Sequence, residues 1–290
     1  MARYLKVAAA QMGPNNEGVP REAVVERMLA LLEQAIAEKV ELIAYPEMAL
    51  TTYFPKRIRN DFDQFFETEM PPKALAPLLA RARAAGVACH VGFSEKDGGR
   101  YFNTAILTDT AGALLGKYRK IHLPGVKEPD GYAQVYEPHF FETGDTGYRV
   151  WPLGGATVGV AICQDRRYGE TYRMLGLQGA EIVLIGYNTP LSPLALSQNE
   201  LVMRAGAYEN SLFVVGIAKA GVEDGLTLIG GSCVIDPFGE VLAKAATTGD
   251  ELIAARIDLD HRLPALKRWN FYGRRHPEHY GLITHPVRPA

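Results

Sequence analysis

ATVGVAICQDRR, residues 156–167, is the stretch on which the reading of this chain turns. Its first part is a run of small and β-branched residues, the signature of a buried strand. Polarity then changes abruptly after Cys163. In open α/β sheets the carboxyl end of a strand is where ligand-binding groups are placed, so Cys163 stands at a strand exit, a position suited to chemistry. A free cysteine taken alone is more often a small buried hydrophobe. The rest of the chain has to decide between the two.

Working outward, strand and helix patterns alternate. Leu5, Val7 and Ala9 alternate as a strand does, and Pro20 opens a helix with Val24, Met28, Leu31, Leu32 and Ala35 on one face. Strands are predicted over 41–45, 87–93, 104–109 and 113–118, the last two as a hairpin, with a helix over 73–85. Beyond the central strand, a helix over 169–177 precedes a strand over 181–185. Ser197-Gln198-Asn199-Glu200 has the form of a capping box opening a helix to about Glu209. Strands over 212–218, 232–235 and 252–257 follow, and 259–290, rich in Arg, His and Pro, reads as an extended tail. The alternation predicts an α/β layered fold. The strand count allows one sheet or two packed sheets, and periodicity does not choose between them.

No linker, repeat or low-complexity run divides the 290 residues, so a single domain over 1–290 is expected. With a formal charge of -2 and scattered Lys and Arg, there is no electrostatic footprint for nucleic acid or an anionic membrane. No apolar run approaches a membrane span, and MARYLKVAAAQ is too polar for a signal-peptide core. A cytoplasmic location is the default expectation. Cys89, Cys163 and Cys233 form no CxxC pair and the histidines no HExxH, so neither a disulfide framework nor a metal site is expected.

Three polar residues stand at strand ends: Glu47 after Pro46, Lys120 closing GKYRK, and Cys163. A carboxylate, an ammonium and a thiol converging from such ends make a nucleophilic site. A thiol with a pKa of about 8.5 needs a base or a positive neighbour to act at neutral pH. Glu47 is suited to take the proton and Lys120 to stabilise the oxyanion formed when sulfur attacks a carbonyl.

These residues also carry a resemblance. Tyr45-Pro46-Glu47, GKYRKIHLPG at 116–125 and the cysteine of VAICQDRR resemble the nitrilase superfamily of carbon–nitrogen hydrolases, as do Ala9-Ala10-Gln11 and GSCVIDPFGEVL at 231–242. The resemblance implies a four-layer αββα sandwich with Glu47 as general base, Lys120 as oxyanion stabiliser and Cys163 as nucleophile. It implies no metal or organic cofactor. Glu137 matches a second carboxylate that the family keeps close to the lysine.

Within the superfamily the chain is most similar to the N-carbamoyl-D-amino-acid amidohydrolases, through ALTTYFP at 49–55, FFETEMP at 65–71, CQDRR at 163–167, RMLGLQGAEI at 173–182, GYNTP at 186–190 and HYGLI at 279–283. Carbamoylputrescine-type members instead look like CWDQW after the nucleophile. A diamine-derived substrate would be repelled by two arginines, whereas a guanidinium grips a free carboxylate with two parallel hydrogen bonds. Arg166, Arg167 and Asn188, with Gln164 beside them, are the expected binding residues for a small-molecule substrate with a free carboxylate. The expected products are the D-amino acid, carbon dioxide and ammonia, and an ω-amide or another N-carbamoyl compound is the alternative substrate. Gln164 stands where this subfamily carries Asn, Val135 where it carries a loop histidine, and 190–198 is shorter than its counterpart. The resemblance also implies a homodimer or homotetramer in which the tail, carrying Trp269, Phe271, Tyr272 and Tyr280, packs at the interface.

Overall fold

The computed structural model describes residues 2–132 and 135–286. Met1, 133–134 and 287–290 lie outside the described residues, so the expected domain and its tail are followed to residue 286. The first half of the chain runs β1 (Tyr4–Gln11), α1 (Arg21–Ala37), β2 (Leu42–Ala44), α2 (Ala76–Ala85), β3 (Ala88–Asp97), β4 (Arg100–Thr108) and β5 (Leu114–Arg119). The second half runs α3 (Glu137–Phe140), β6 (Val150–Leu153), β7 (Ala156–Ile162), α4 (Gly169–Leu177), β8 (Ile182–Tyr187), α5 (Ala195–Asn210), β9 (Phe213–Ala218), β10 (Ala220–Glu223), β11 (Leu226–Ile229), β12 (Cys233–Ile235), β13 (Val241–Lys244), β14 (Glu251–Asp258) and α6 (Arg262–Trp269).

Two six-stranded sheets result, in the orders β14-β1-β2-β3-β4-β5 and β13-β12-β9-β8-β7-β6, with β10 and β11 as a separate two-stranded pair. Strand alternation builds the layers. Leu5, Val7 and Ala9 of β1 meet Val158, Leu184 and Val215 between the sheets, while Ala8 and Ala10 face Val24, Met28 and Leu31 of α1. In the second sheet Val183, Ile185 and Val214 turn outward to Leu175 of α4 and Met203 of α5. The order is therefore helix, sheet, sheet, helix, the αββα sandwich that the resemblance implies, and it answers the question periodicity left open.

The central strands of both sheets are parallel, β1-β2-β3 in one and β7-β8-β9 in the other. Their carboxyl ends bring out Glu47, Cys163 and Asn188. Two glycines allow the Pro46–Glu47 backbone to lie between the sheets at this edge: a Cβ on Gly92 would stand 2.6 Å from the Pro46 oxygen, and one on Gly186 would stand 2.7 Å from the Glu47 nitrogen. Neither position has room for a side chain.

Three expectations need correction. Ser197 does not cap a helix: α5 already starts at Ala195, and Ser197 Oγ, inside its first turn, donates to the Leu194 oxygen at 3.0 Å. The tail is not extended throughout, since 262–269 form α6. Trp269 and Phe271 lie 4.7 and 5.4 Å from the Tyr208 ring of α5, and the Tyr272 hydroxyl donates to the Asn210 oxygen at 2.6 Å. The strands β6, β10, β11 and β13, four residues each, are additional to those expected from the sequence. β6 and β13 are edge strands, and β6 contains Pro152, which only an edge tolerates. Among the described residues no helix is long and apolar enough to cross a membrane.

Candidate active site

Cys163 is the first residue past β7 and opens a 3-10 turn, Cys163–Arg167. Its φ is +46°, in the left-handed region that a side chain adopts only when its surroundings impose it. The turn around it is held by Asp165, which is fully buried. Its Oδ2 accepts the Ile162 N–H at 3.0 Å and the Tyr118 hydroxyl at 2.8 Å. Its Oδ1 accepts the His122 N–H at 3.0 Å and lies 2.8 Å from His122 Nδ1. The cysteine turn is thus tied to the segment leaving β5, the segment that carries Lys120.

Glu47 leaves the end of β2 and is fully buried. Oε1 accepts from Lys120 Nζ at 2.7 Å and from Asn103 Nδ2 at 2.7 Å, and Oε2 from the Asn188 N–H at 2.8 Å. Lys120 Nζ also donates to both oxygens of Glu137, at 2.8 and 2.7 Å, and the Tyr53 hydroxyl donates to Glu137 Oε1 at 2.9 Å. Cys163 Sγ lies 3.7 Å from the Asn188 oxygen, one peptide away from the group that holds Glu47. Lys120 therefore bridges Glu47 and Glu137, and Cys163 joins them through Asn188.

The charges balance unevenly. Burial pushes the Cys163 thiol above its ordinary range and the Glu47 carboxylate adds to that, against the smaller pulls of Lys120 and Arg166. The resting sulfur is accordingly a neutral thiol. Burial pushes Glu137 up to about 7, opposed by Lys120 and reinforced by Glu47. For Lys120 burial works to release the proton, but Glu137 and Glu47 outweigh it and hold the ammonium above its ordinary range. Such a cluster offers a nucleophile that reacts on losing its proton, a carboxylate to receive it, and a fixed cation for a developing oxyanion.

A cavity of about 320 Å³ opens over Cys163, lined among others by Tyr53, Val135, Gln164, Arg167, Asn188 and Thr189. The two arginines differ. Arg166 is buried beside this cavity and fully engaged: Nε donates to Asn199 Oδ1 at 2.7 Å, NH2 to Thr189 Oγ1 at 2.7 Å and NH1 to the Cys163 oxygen at 2.6 Å, with its guanidinium 4.6 Å from the Tyr187 ring centre. Arg167 is exposed on the rim and makes no hydrogen bond or ion pair with the described residues. Gln164 is half-buried in the wall. Asn188, expected near a substrate carboxylate, is buried and donates its Nδ2 to the Glu47 main-chain oxygen at 2.9 Å.

Sequence reasoning did not single out Tyr53, Asn103, Asp165, His122, Thr189 or Asn199. Asp165 lay inside the quoted stretch, where an acidic residue directly after a strand end was a usable signal. The others meet the site only through tertiary packing. Among the described residues no group of three or more His, Cys, Asp or Glu side chains is arranged to hold a metal ion.

With this geometry in view, the comparisons with known proteins agree on family. A model of the carbon–nitrogen hydrolase family matches residues 6–263. The chain is 29% identical over 291 residues to citrullinase of Francisella tularensis subsp. tularensis, covering 97% of this chain and 98% of the relative. It is 28% identical over 299 residues to N-carbamoylputrescine amidase of Arabidopsis thaliana, covering 97% and 95%. Among solved structures, the carbon–nitrogen hydrolase from Helicobacter pylori G27 aligns with a TM-score of 0.87 at 26% identity over 98% of this chain and 99% of that one.

Proposed function

The chain belongs to the carbon–nitrogen hydrolase family, enzymes acting on amides, and from that premise we propose that it hydrolyses N-carbamoyl-D-amino acids to the D-amino acid, carbon dioxide and ammonia. The observation that carries this reading is Arg167: an exposed guanidinium without a partner among the described residues, four positions past the thiol and on the rim of its cavity. A free carboxylate is the group such a fork recognises best. Citrulline and N-carbamoylputrescine, the compounds for which the two relatives are named, both carry the ureido group that the proposal requires. The D-series is supported by the stretches FFETEMP, CQDRR and GYNTP.

In this mechanism Glu47 takes the Cys163 proton as sulfur bonds to the ureido carbon, and Lys120 stabilises the tetrahedral oxyanion. Collapse breaks one C–N bond, and the proton held by Glu47 passes to the departing nitrogen. Water then attacks the carbonyl of the thioester-like intermediate, giving a proton to Glu47. The C–S bond breaks, and the proton returns to sulfur. The product released from sulfur is a carbamic acid, whose hydroxyl proton passes to its nitrogen as the remaining C–N bond breaks and carbon dioxide leaves, so one water per turnover accounts for carbon dioxide, ammonia and the amino acid. Asn188, through its two bonds to Glu47, keeps the base oriented, and Arg166 supports the turn that bears the sulfur.

The test is stoichiometry. Turnover of N-carbamoyl-D-alanine should release ammonia and carbon dioxide in equal amounts. Turnover confined to ω-amides of dicarboxylic acids, with ammonia but no carbon dioxide, supports the alternative amidase reading instead. For assembly, we propose a homodimer or homotetramer, since Leu282 is 76% and Ile283 61% exposed at the end of the tail and Leu201 is 65% exposed on α5. Light scattering that shows a monomer at working concentration removes that proposal.

A further inference from the structure

Two buried charges lie outside the cluster just described. Lys219, following β9, and Glu223, ending β10, are both fully buried, with Nζ 2.8 Å from each Glu223 carboxylate oxygen and 2.8 Å from the Thr51 oxygen. A buried ion pair adds little net stability, because desolvating the two charges offsets their attraction. The pair is placed to do something else. Glu223 Oε1 accepts the Tyr53 N–H at 2.5 Å, and Oε2 accepts the Asn15 N–H at 2.7 Å. Tyr53 is the residue whose hydroxyl holds Glu137 against Lys120.

The β10–β11 pair reaches the opposite wall as well. The Leu191 N–H donates to the Thr227 oxygen at 2.8 Å and the Ile229 N–H to the Thr189 oxygen at 3.0 Å. The small sheet thus joins the loop that carries Tyr53 to the loop that carries Asn188 and Thr189, while neither Lys219 nor Glu223 lines the cavity.

We propose that the Lys219–Glu223 pair is a positioning device for the hydrolysis: it anchors the Tyr53 main chain so that the phenol keeps Glu137 seated on Lys120. This rests on the amide-hydrolase reading of the cluster. Four groups face Glu137: Lys120 from the end of β5, Glu47 from the end of β2, Tyr53 from the loop beyond it, and, through space, Cys163 at its turn. The Tyr53 hydrogen bond favours the ionised carboxyl, so its loss raises the pH at which Glu137 ionises. The acidic limb of kcat then moves to higher pH.

The experiment is a mutant cycle between Tyr53→Phe and the double variant Lys219→Met/Glu223→Gln, which removes both buried charges together. Each is expected to lower kcat roughly tenfold with KM near wild type, the effect of one misplaced hydrogen bond, and to shift the acidic limb upward. Because both act through the same hydroxyl, the combined variant should be no slower than about the slower parent. Losses that multiply to roughly a hundredfold, or a folded double variant with wild-type kcat and acidic limb, overturn the proposal. Should the double variant fail to fold, Glu223→Asp takes its place with the same two outcomes, since it keeps the charges and withdraws the carboxylate from Tyr53. If wild type turns over no carbamoyl amino acid, the substrate reading fails separately. The same cycle is then read from the rate of Cys163 alkylation by iodoacetamide, which needs no substrate.

Discussion

Asn188 holds Glu47 at two points, its main-chain N–H donating to Oε2 at 2.8 Å and its side-chain Nδ2 to the Glu47 carbonyl at 2.9 Å. The two residues come from different sheets, so this contact sets the Glu47 carboxylate against the sheet whose neighbouring strand bears Cys163. Asn188→Ala removes the side-chain arm only. It should lower kcat by roughly ten- to a hundredfold with little change in KM, the pattern of a lost orienting bond. Steady-state kinetics check this, and a rise confined to KM would return Asn188 to carboxylate binding.

The Pro46–Glu47 backbone passes between two glycines. Gly92→Ala would place a Cβ 2.6 Å from the Pro46 oxygen and 2.8 Å from the Glu47 Cα, with only backbone to yield. The expected cost is about 1–3 kcal/mol in urea unfolding, together with a fall in kcat as Glu47 shifts. Wild-type stability and turnover in Gly92→Ala would contradict this account of the approach.

Glu47 raises the thiol it is proposed to deprotonate. Replacing it with Gln removes that negative charge, so the Cys163 pKa falls and more thiolate is present at neutral pH. Alkylation of Cys163 by iodoacetamide should become faster in Glu47→Gln, while turnover falls by roughly 10²- to 10⁴-fold. The two effects have opposite signs, and parallel losses of both would argue that the variant is simply distorted. Cys89 and Cys233, pushed up to about 12 by burial, do not compete for the reagent.

The buried His90 predicts an acid weakness. Strand alternation puts its imidazole between the sheets, fully buried with neither ring nitrogen hydrogen-bonded among the described residues, and burial lowers its pKa to about 4. The folded value lies below the unfolded one of 6.5, so the unfolded state binds more protons in the window between them. The contribution of His90 is complete above pH 6.5 and is lost as pH falls toward 4, by about 3 kcal/mol at the bottom of the window. Urea titrations of wild type and His90→Leu across that window should diverge in slope, the variant losing less. Identical slopes would mean the imidazole is not neutral in the fold.

Arg167 and Arg166 should separate kinetically. Arg167→Gln, which touches only the rim, should raise KM for carboxylate-bearing substrates by roughly ten- to a hundredfold and leave neutral amides unaffected. Arg166→Gln, which frees the Cys163 oxygen, Thr189 and Asn199, should instead lower kcat for every substrate.

Much of this was legible in the sequence because it is local. Strand ends mark themselves by an abrupt change of polarity, and Glu47, Lys120 and Cys163 each sit at one, so three separated segments pointed to one edge. The duplication of the sheet came only from the family resemblance and not from periodicity, since both sheets use the same alternation and the packing of Val7 and Ala9 on Val158 and Leu184 is what separates them. Arg166 and Arg167 look equivalent as neighbours in CQDRR. What divides them is Asn199, 33 residues away, and Thr189, 23 away, which take up one guanidinium and leave the other in solvent. Ser197 misled because its spacing fits a cap, while the helix gains its first turn from Ala195, which is buried.

The most direct measurement is turnover of paired N-carbamoyl-D- and N-carbamoyl-L-amino acids with chiral detection of the product, with Cys163→Ala run alongside. The account predicts release of the D-amino acid from the D-series and no turnover by the folded Cys163→Ala variant. Product from the L-series alone would contradict the substrate assignment, and activity retained without the thiol would contradict the nucleophile.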